Sequence, residues 1–567
     1  VKIARGGREK FNSRWIVASS SDIDMTPGSF EISDMIAKKA RVGACACNKK
    51  MEEKNNSLSF RTFVIGTILL LMTSWCYELG RFPFNQDNGA ILDTSRRVLD
   101  GERLYMDIPE VNPPLIFILG RGVVLLSRMT GFHEILVWRL CFLLATTLVI
   151  LFTGQLIEKN GWKFEHGRCQ GFLWSIIALF FCYPGNHFSQ REHLAAVFLL
   201  PYVLVCSGRA CGKPVDKKAA LLSGFLAGLA FSFKPFFLLV FCLIEIYMRG
   251  TCRETGQPWI RLENTVATAF FGGYLLWVIL GTPYLSYLRF IEPYYASYNM
   301  AFFQLLFNFN HFPFVLATLL HGIFEPPKDE APLRQMLFLT ALGFTLSFVV
   351  QLKGFGYHGL PARIFSWTLV SLIVLGLASA GKRKEFAIRA VAYQFSANFC
   401  IFPVMYILFI SGLNLFCSGG GDTQALINQI RELGGGKKAH LLTFSCWSAF
   451  PAFNYCGIQT TQRGSALILA KLYHGIDPFD GPFPYKNGSE TWELLQSYID
   501  ITVEDIATRK PDYIFSDDRL DRQAIGISRF NFIEFLMLDD RFKLLFQTNY
   551  QFLKEAGAFK VFKRRTG

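Results

Sequence analysis

From Phe60 to about Phe416 the chain is a succession of apolar runs, each closed by polar or charged residues. A helix needs roughly twenty apolar residues to cross a hydrocarbon core, and on that criterion the stretch predicts about eleven spans. They are Phe60–Glu78, Ile135–Leu156, Phe172–Tyr183, Leu194–Cys206, a fifth ending at Phe233-Lys234-Pro235, a sixth returning to Arg249, Val266–Leu280, Phe309–Phe324, Leu337–Val350, Phe365–Ala380 and Val391–Phe416. A long loop separates the first two. It holds Asp87, a polar helical stretch from Asn88 to Leu99, the turn Asp100-Gly101, and then an apolar segment, Leu115–Leu126, interrupted by Arg121 and closed by Arg128. That segment is short for a span and predicts a helix lying in the membrane interface.

At Ser418-Gly419-Gly420-Gly421 the pattern becomes that of a soluble protein, with an amphipathic helix over Asp422–Leu433 and strand-like runs at His440–Phe444, Tyr513–Phe515 and Ala558–Phe562. The expected fold class is a membrane all-α helical bundle followed by a small α/β domain. Residues 1–58 are expected to be a disordered cytoplasmic segment, 59–416 the transmembrane domain with its outer loop over 80–133, and 417–567 an outer soluble domain. Met51 is an alternative start for the chain, and no secretory signal peptide precedes it.

Composition sharpens this picture: 51% of the 567 residues are hydrophobic and 18% charged, too apolar for one soluble domain. A net charge of +14 suggests nucleic acid until the basic residues are located. They crowd into short connections, Lys159–Arg168, Arg209–Lys218, Arg249–Arg261 and Lys382–Arg389, which the positive-inside rule places in the cytoplasm. Nucleic acid is then not an expected partner; membrane lipid is. Walking the spans from this orientation puts the first loop and the C-terminal domain on the outer side, periplasmic if the membrane is a bacterial inner membrane. Counting Leu115–Leu126 as a span would invert everything after it and put Lys159, Lys213, Lys217 and Lys218 outside. Cys141, Cys182 and Cys242 lie in apolar runs as small hydrophobes, and no zinc pattern is present; Cys446 and Cys456 could pair in an oxidising compartment. Asn487-Gly488-Ser489 has the form of a glycosylation acceptor, while the C-terminal domain shows no phosphate loop or nucleophile elbow.

Ionisable groups are costly near hydrocarbon unless they face water or a polar substrate. Four groups fall on the outer face: Asp87 with Asp107 and Glu110; Gln190-Arg191-Glu192-His193; Lys234; and Lys353 with Tyr357-His358. A carboxylate that can deprotonate a hydroxyl, beside cations that can hold a phosphate and an apolar bundle that can hold a prenyl tail, suits transfer from a lipid phosphate. Asp87 is then the candidate base, and Lys234 with Arg191 the candidate phosphate ligands. Each has a plainer reading. Asp87 could be an N-cap for a helix starting at Asn88, Lys234 a snorkelling helix end, Glu192 and His193 caps of the fourth span, and His358 an interfacial ring.

The run Phe84-Asn85-Gln86-Asp87, followed by Asp100-Gly101, Tyr105, Asp107 and Asn112-Pro113-Pro114-Leu115, resembles the first outer loop of the C-type (GT-C) glycosyltransferases, the superfamily of protein O-mannosyltransferases and lipid A aminoarabinose transferases. The resemblance implies that Asp87 is the catalytic carboxylate, that Glu192, the second catalytic candidate, matches an acidic position between spans three and four, and that Lys234-Pro235 matches a Lys-Pro after span five. Arg191 and His193 join Lys234 as candidate donor-phosphate ligands, and Tyr105, Asp107, Glu110, Tyr357 and His358 are the other substrate-site candidates. Asp107 and Glu110 fall near a position that binds a divalent metal in some members, although Asn112 stands where a Lys is usual, so the metal stays open. Gln190–His193 and Ala449–Tyr455 are similar to bacterial membrane proteins of the same superfamily. The implied function is transfer of a hexosyl or pentosyl unit from a polyprenyl-phosphate-linked sugar to a glycan, lipid or protein acceptor of the cell envelope, with unspecified stereochemistry. No cytoplasmic loop is large enough for a nucleotide-sugar domain. A transporter or flippase for lipid-linked sugars is the alternative; it would show internal repeats and midplane polar sites, and no repeat is visible. A third reading is a sensory or assembly protein whose outer domain binds a partner.

Overall fold

The computed structural model describes residues 64–80, 83–159, 166–256, 258, 260–296, 299–380, 420–444, 449–464, 466, 469, 490–517 and 530–565. The N-terminal segment up to 58, the eleventh span, the basic run Lys382–Arg389, Cys446 of the suggested pair and the Asn487 triplet lie outside the described residues.

The membrane part runs α1 (Val64–Gly80), α2 (Gln86–Leu99), α3 (Leu115–Thr130), α4 (Glu134–Lys159), α5 (His166–Ile177), α6 (Arg191–Ala210), α7 (Lys217–Phe233), α8 (Leu238–Thr255), α9 (Leu262–Gly281), α10 (Tyr284–Tyr295), α11 (Phe302–Leu306), α12 (Phe312–Ile323), α13 (Ala331–Val350) and α14 (Leu360–Ala380). Among the described residues six helical stretches are long and apolar enough to cross a membrane, and α1 and Arg168–Cys182 are shorter apolar helices. The chain is an integral membrane protein. Helix α3 extends to Thr130, beyond the expected Leu126, because Gly131 supplies the left-handed stop at φ 73°. It buries Ile116, Phe117 and Val124 and exposes Ile118, Leu125, Leu126 and Met129, an apolar outer stripe that fits an interfacial helix. Helix α10 was not anticipated, since its mixed Tyr and charged pattern does not reach span length.

Helix α6 is the axis of the bundle, buried along almost its whole length and packed against α4, α7, α8, α13 and α14. Helix α7 meets α9 through Gly224 and Gly228, one turn apart on one face. A Cβ on Gly224 would sit 2.4 Å from the Glu263 carbonyl oxygen, and one on Gly228 2.8 Å from Phe270 Cβ. Without a hydrophobic drive between helices in lipid, such close backbone approach supplies the packing. The end of the bundle holding the short connections is tied by buried ion pairs. Glu330 binds Arg168 at 2.5 Å and Arg334 at 2.6 Å, and Glu263 meets Arg209 and Arg261, both at 3.3 Å.

The C-terminal domain is built on a five-stranded sheet ordered β2-β1-β3-β5-β4, from β1 (Lys438–Leu442), β2 (Gln459–Thr460), β3 (Tyr513–Asp517), β4 (Tyr550–Ala556) and β5 (Phe559–Arg564). Strand β1 runs parallel to β2 and β3, and the other pairs are antiparallel. Alternate residues feed two cores, as the two-residue period of a strand requires. Leu441 and Phe515 pack with Leu426, Ile427 and Phe453 of α15 (Gly420–Ile430) and α16 (Ala452–Cys456). Leu442 and Ile514 pack with Leu495, Phe542 and Phe546 of α17 (Glu490–Arg509) and, beyond α18 (Phe532–Leu536), α19 (Asp540–Asn549).

This domain grips α2. Asn454 Nδ2 donates to the Gly89 carbonyl at 3.1 Å, Thr460 donates to the buried Asp93 carboxylate, and Arg97 donates to the Gln462 carbonyl at 3.0 Å while pairing with Glu102 at 2.6 Å. Glu102 also binds Arg509 of α17 at 2.9 Å. Burial pushes the Asp93 carboxyl above its usual range even with Arg96 and Arg97 beside it.

Replacing Gly224 by Leu forces α9 away from α7 and is expected to destabilise the protein by about 1–3 kcal/mol. The lowered thermal midpoint of the detergent-solubilised protein reads this out, with Gly273→Leu, which meets no atom within 4 Å, as the comparison that leaves the midpoint in place.

Candidate functional site

At the other end of the bundle four chain segments converge: the start of α2, the turn between α5 and α6, the end of α7, and the link from α13 to α14. Each is positioned by local chemistry. Asn85 is the N-cap of α2, its Oδ1 accepting from the backbone N–H groups of Asp87 at 2.9 Å and Asn88 at 3.2 Å. The cap reading of Asp87 is thereby overturned: α2 starts at Gln86, and Asp87 lies in its first turn with its carboxylate directed elsewhere.

Helix α5 widens into a π turn over Ala178–Cys182 before the chain reverses. His193 repairs the disruption, its Nε2 2.7 Å from the Phe180 carbonyl and its Nδ1 accepting the Ser189 N–H at 3.0 Å. Both ring nitrogens are thus spent on backbone, so His193 shapes the turn and has no nitrogen for the phosphate expected of it. Ser189 has a left-handed backbone, φ 62°, and its Oγ accepts from Trp138 Nε1 at 2.8 Å and Asn88 Nδ2 at 3.1 Å. A β-carbon at positive φ is strained, and these contacts hold it.

Helix α7 ends at Phe233 because Pro235 drives Lys234 into an extended conformation, φ −149° and ψ 127°. That turn aims the ammonium inward. Lys234 Nζ lies 2.5 Å from Glu192 Oε1 and donates to Gln351 Oε1 at 3.0 Å, with the Tyr357 ring 5.9 Å away. His358 Nε2 is 3.8 Å from the same Glu192 oxygen. Glu192 is fully buried and Lys234 7% exposed, so this is a pair in a dry environment and not a snorkelling lysine. Glu192 caps nothing: Gln190 holds the N-cap position of α6.

Arg191 is 4% exposed, and its Nε and Nη1 are buried without a hydrogen-bond partner. Its guanidinium interacts through space with Glu192, Tyr357, Asp87 and Glu110. Asp87 Oδ2 accepts from Gln190 Nε2 at 3.1 Å. Asp87, Arg191, Glu192, Lys234, Tyr357 and His358 therefore belong to one cluster.

The loop residues divide. Glu110 Oε1 accepts from Asn112 N at 2.9 Å and Asn112 Nδ2 at 2.6 Å, and burial raises its carboxyl above the usual range despite nearby Arg191. Asp107 is held by Arg103, Nε at 2.9 Å and Nη2 at 3.1 Å, which brings its carboxyl down to about 2. Tyr105, at φ 70°, donates to the Asn112 carbonyl at 2.6 Å and packs on Tyr284 and Tyr287, so it braces the loop. Among the described residues no three His, Cys, Asp or Glu side chains are placed to hold a metal ion together, and Asp107 and Glu110 are engaged by different partners. The residues present therefore do not fit the divalent metal suggested for that pair. Lys353 is drawn aside, donating to the Tyr295 carbonyl at 2.7 Å and Asn299 Oδ1 at 2.6 Å. Asn85 as a cap, Ser189 and Gln351 were missed; Gln351 follows the apolar run ending at Val350, the same signal that singled out Lys234.

No family model matches the sequence, and no curated protein matches it. Among solved structures the chain is similar to ArnT from Cupriavidus metallidurans bound to undecaprenyl phosphate, with TM-score 0.53 and 12% identity over 88% of this chain and 97% of that one. ArnT from the same organism in the apo state aligns at TM-score 0.49 with 12% identity over 88% and 98% of the two chains. The archaeal oligosaccharyltransferase AglB from Archaeoglobus fulgidus, in complex with an inhibitory peptide and a dolichol-phosphate, aligns at 0.42 with 12% identity over 89% and 74%. The first likeness shows a shared fold; the other two are too distant to carry an argument.

Removing one partner of a buried pair strands the other charge, at about 3–5 kcal/mol. Glu192→Gln is therefore expected to lower the thermal midpoint sharply, and adding Lys234→Met to it should recover much of the loss; a double variant no more stable than the single one would contradict this picture.

Proposed function

We propose that the protein is a membrane glycosyltransferase that moves a sugar from a polyprenyl-phosphate donor to a hydroxyl-bearing acceptor, with Asp87 as general base and Arg191 and Lys234 as the donor-phosphate ligands. The observation that carries this reading is Arg191, a buried guanidinium with unmet donors beside Lys234 and within electrostatic reach of Asp87. A buried cation with unsatisfied N–H groups is costly, and a phosphate, which matches the guanidinium fork, relieves the cost. Sharing a fold with a protein solved bound to undecaprenyl phosphate supports the choice of a lipid-linked anion.

In this reading the acceptor hydroxyl attacks the anomeric carbon while Asp87 takes its proton, and the bond from that carbon to the phosphate oxygen breaks. Negative charge then grows on the departing lipid phosphate, where Arg191 and Lys234 meet it in a water-poor setting that strengthens the attraction. Glu192, expected to be a catalytic carboxylate, instead keeps Lys234 charged and aimed. His358 and Tyr357 line the same cluster. The acceptor side is open to a glycan, a lipid or a protein. The membrane is proposed to be a bacterial inner membrane, with this end of the bundle and the 417–567 domain on the periplasmic side.

Purified protein carrying co-purified polyprenyl phosphate, detected by mass spectrometry, is the expected finding. In proteoliposomes supplied with a polyprenyl-phosphate sugar, Asp87→Asn should lower turnover by roughly 10²–10⁴-fold, the range of general-base catalysis. Arg191→Gln should weaken apparent donor affinity. Full turnover in the first variant removes Asp87 from the chemistry, and an unchanged donor affinity in the second removes Arg191 from the phosphate.

A further inference from the structure

We infer that Gln190 is a positioning residue for the Asp87 carboxylate, tying it through one neutral N–H to the cap of α2. Gln190 Nε2 donates to Asn85 Oδ1 at 2.9 Å and to Asp87 Oδ2 at 3.1 Å. The amide orientation follows from its partners. Asn85 Oδ1 already accepts two backbone N–H groups, so it is an oxygen, and a flipped Gln190 would set lone pairs against lone pairs on both sides.

The position is costly for α6 itself. Ser, Thr, Asp and Asn are favoured at an N-cap because their short side chains reach the first turn, whereas Gln190 makes no capping bond and reaches across to α2 instead. The residue before it holds the strained backbone of Ser189. Its remaining oxygen, Oε1, is buried without a donor in a residue only 2% exposed. A local preference given up, a strained neighbour and an unmet buried acceptor coincide where a site is being assembled.

A neutral donor orients a carboxylate without cancelling its charge. Among the described residues the ionisable groups facing Asp87 include Arg191 on α6, Lys234 after α7 and Tyr357 before α14. Lys234 is turned toward Glu192, and the Gln190 amide gives the Asp87 carboxylate a neutral donor at a fixed direction.

The inference rests on Asp87 being the base, and its test separates the two. In the full chain, carbodiimide labelling of Asp87 is followed against pH by peptide mass spectrometry, which reports the protonated carboxyl and requires no acceptor. Gln190→Glu, nearly isosteric, puts a second carboxylate against Asp87, and two such groups do not ionise together; the half-labelling pH should rise by about one unit or more. Gln190→Met removes the hydrogen bond alone. It should cut kcat for a polyprenyl-phosphate sugar about tenfold, the worth of one such bond, with donor KM unchanged. If Gln190→Met fails to fold, the Gln190→Glu titration decides. A half-labelling pH and kcat unchanged in both variants overturn the clamp even while Asp87→Asn is inactive. If the half-labelling pH moves but Asp87→Asn transfers sugar as the wild type does, the clamp stands and the base assignment fails.

Discussion

The ion pair between Glu192 and Lys234 governs the arrangement of this molecule. Its partners come from the first turn of α6 and the last residue before Pro235, and both are almost fully enclosed. Two charges taken out of water need each other, and the geometry that lets them meet obliges α6 and α7 to end at the same level. Gln351 and His358 are recruited to the same centre, so α13 and α14 are registered against it as well. The apolar packing between helices permits many sliding arrangements of similar energy; the polar centre selects one.

The C-terminal domain takes part in this order through α2. Asn454, Thr460, Gln462 and Arg509 hold the middle and far end of that helix or the turn after it, while Gln190 holds its beginning. Gly89 allows the closest approach: a Cβ there would lie 2.7 Å from Asn454 Oδ1. Asp87 is thus carried on a helix clamped at both ends, from the bundle on one side and from the sheet domain on the other. That is the rigidity a group needs if its direction matters.

Much of this was legible in the sequence because charge near hydrocarbon is expensive. Arg191, Glu192, Lys234 and His358 stood out as ionisable residues at the margins of apolar runs, and the structure gathers them. The change of texture near Gly420 likewise announced a sheet with helices on its faces. Pairing was not legible. Position along a span says how deep a residue lies and nothing about the direction in which its side chain points, so Glu192 looked like a free carboxylate when it is Lys234's partner. The same blindness hid the cap: Asn85 and Asp87 are equally plausible from composition, and only the backbone path shows which oxygen turns back. Strands β2 and β4 escaped because one is two residues long and the other exposes most of its side chains to solvent.

The composition of α6 bears on how the protein is made. A helix that enters with arginine, glutamate and histidine in succession and is enclosed along nearly all of its length has no face suited to lipid. Released alone from a translocation channel, it would leave those groups in hydrocarbon with no counter-ion. Lys234, which neutralises Glu192, is synthesised only after α7 is complete. Integration of α6 is therefore coupled to the arrival of the next segment, and the two are expected to enter the bilayer as a unit, as a helical hairpin does.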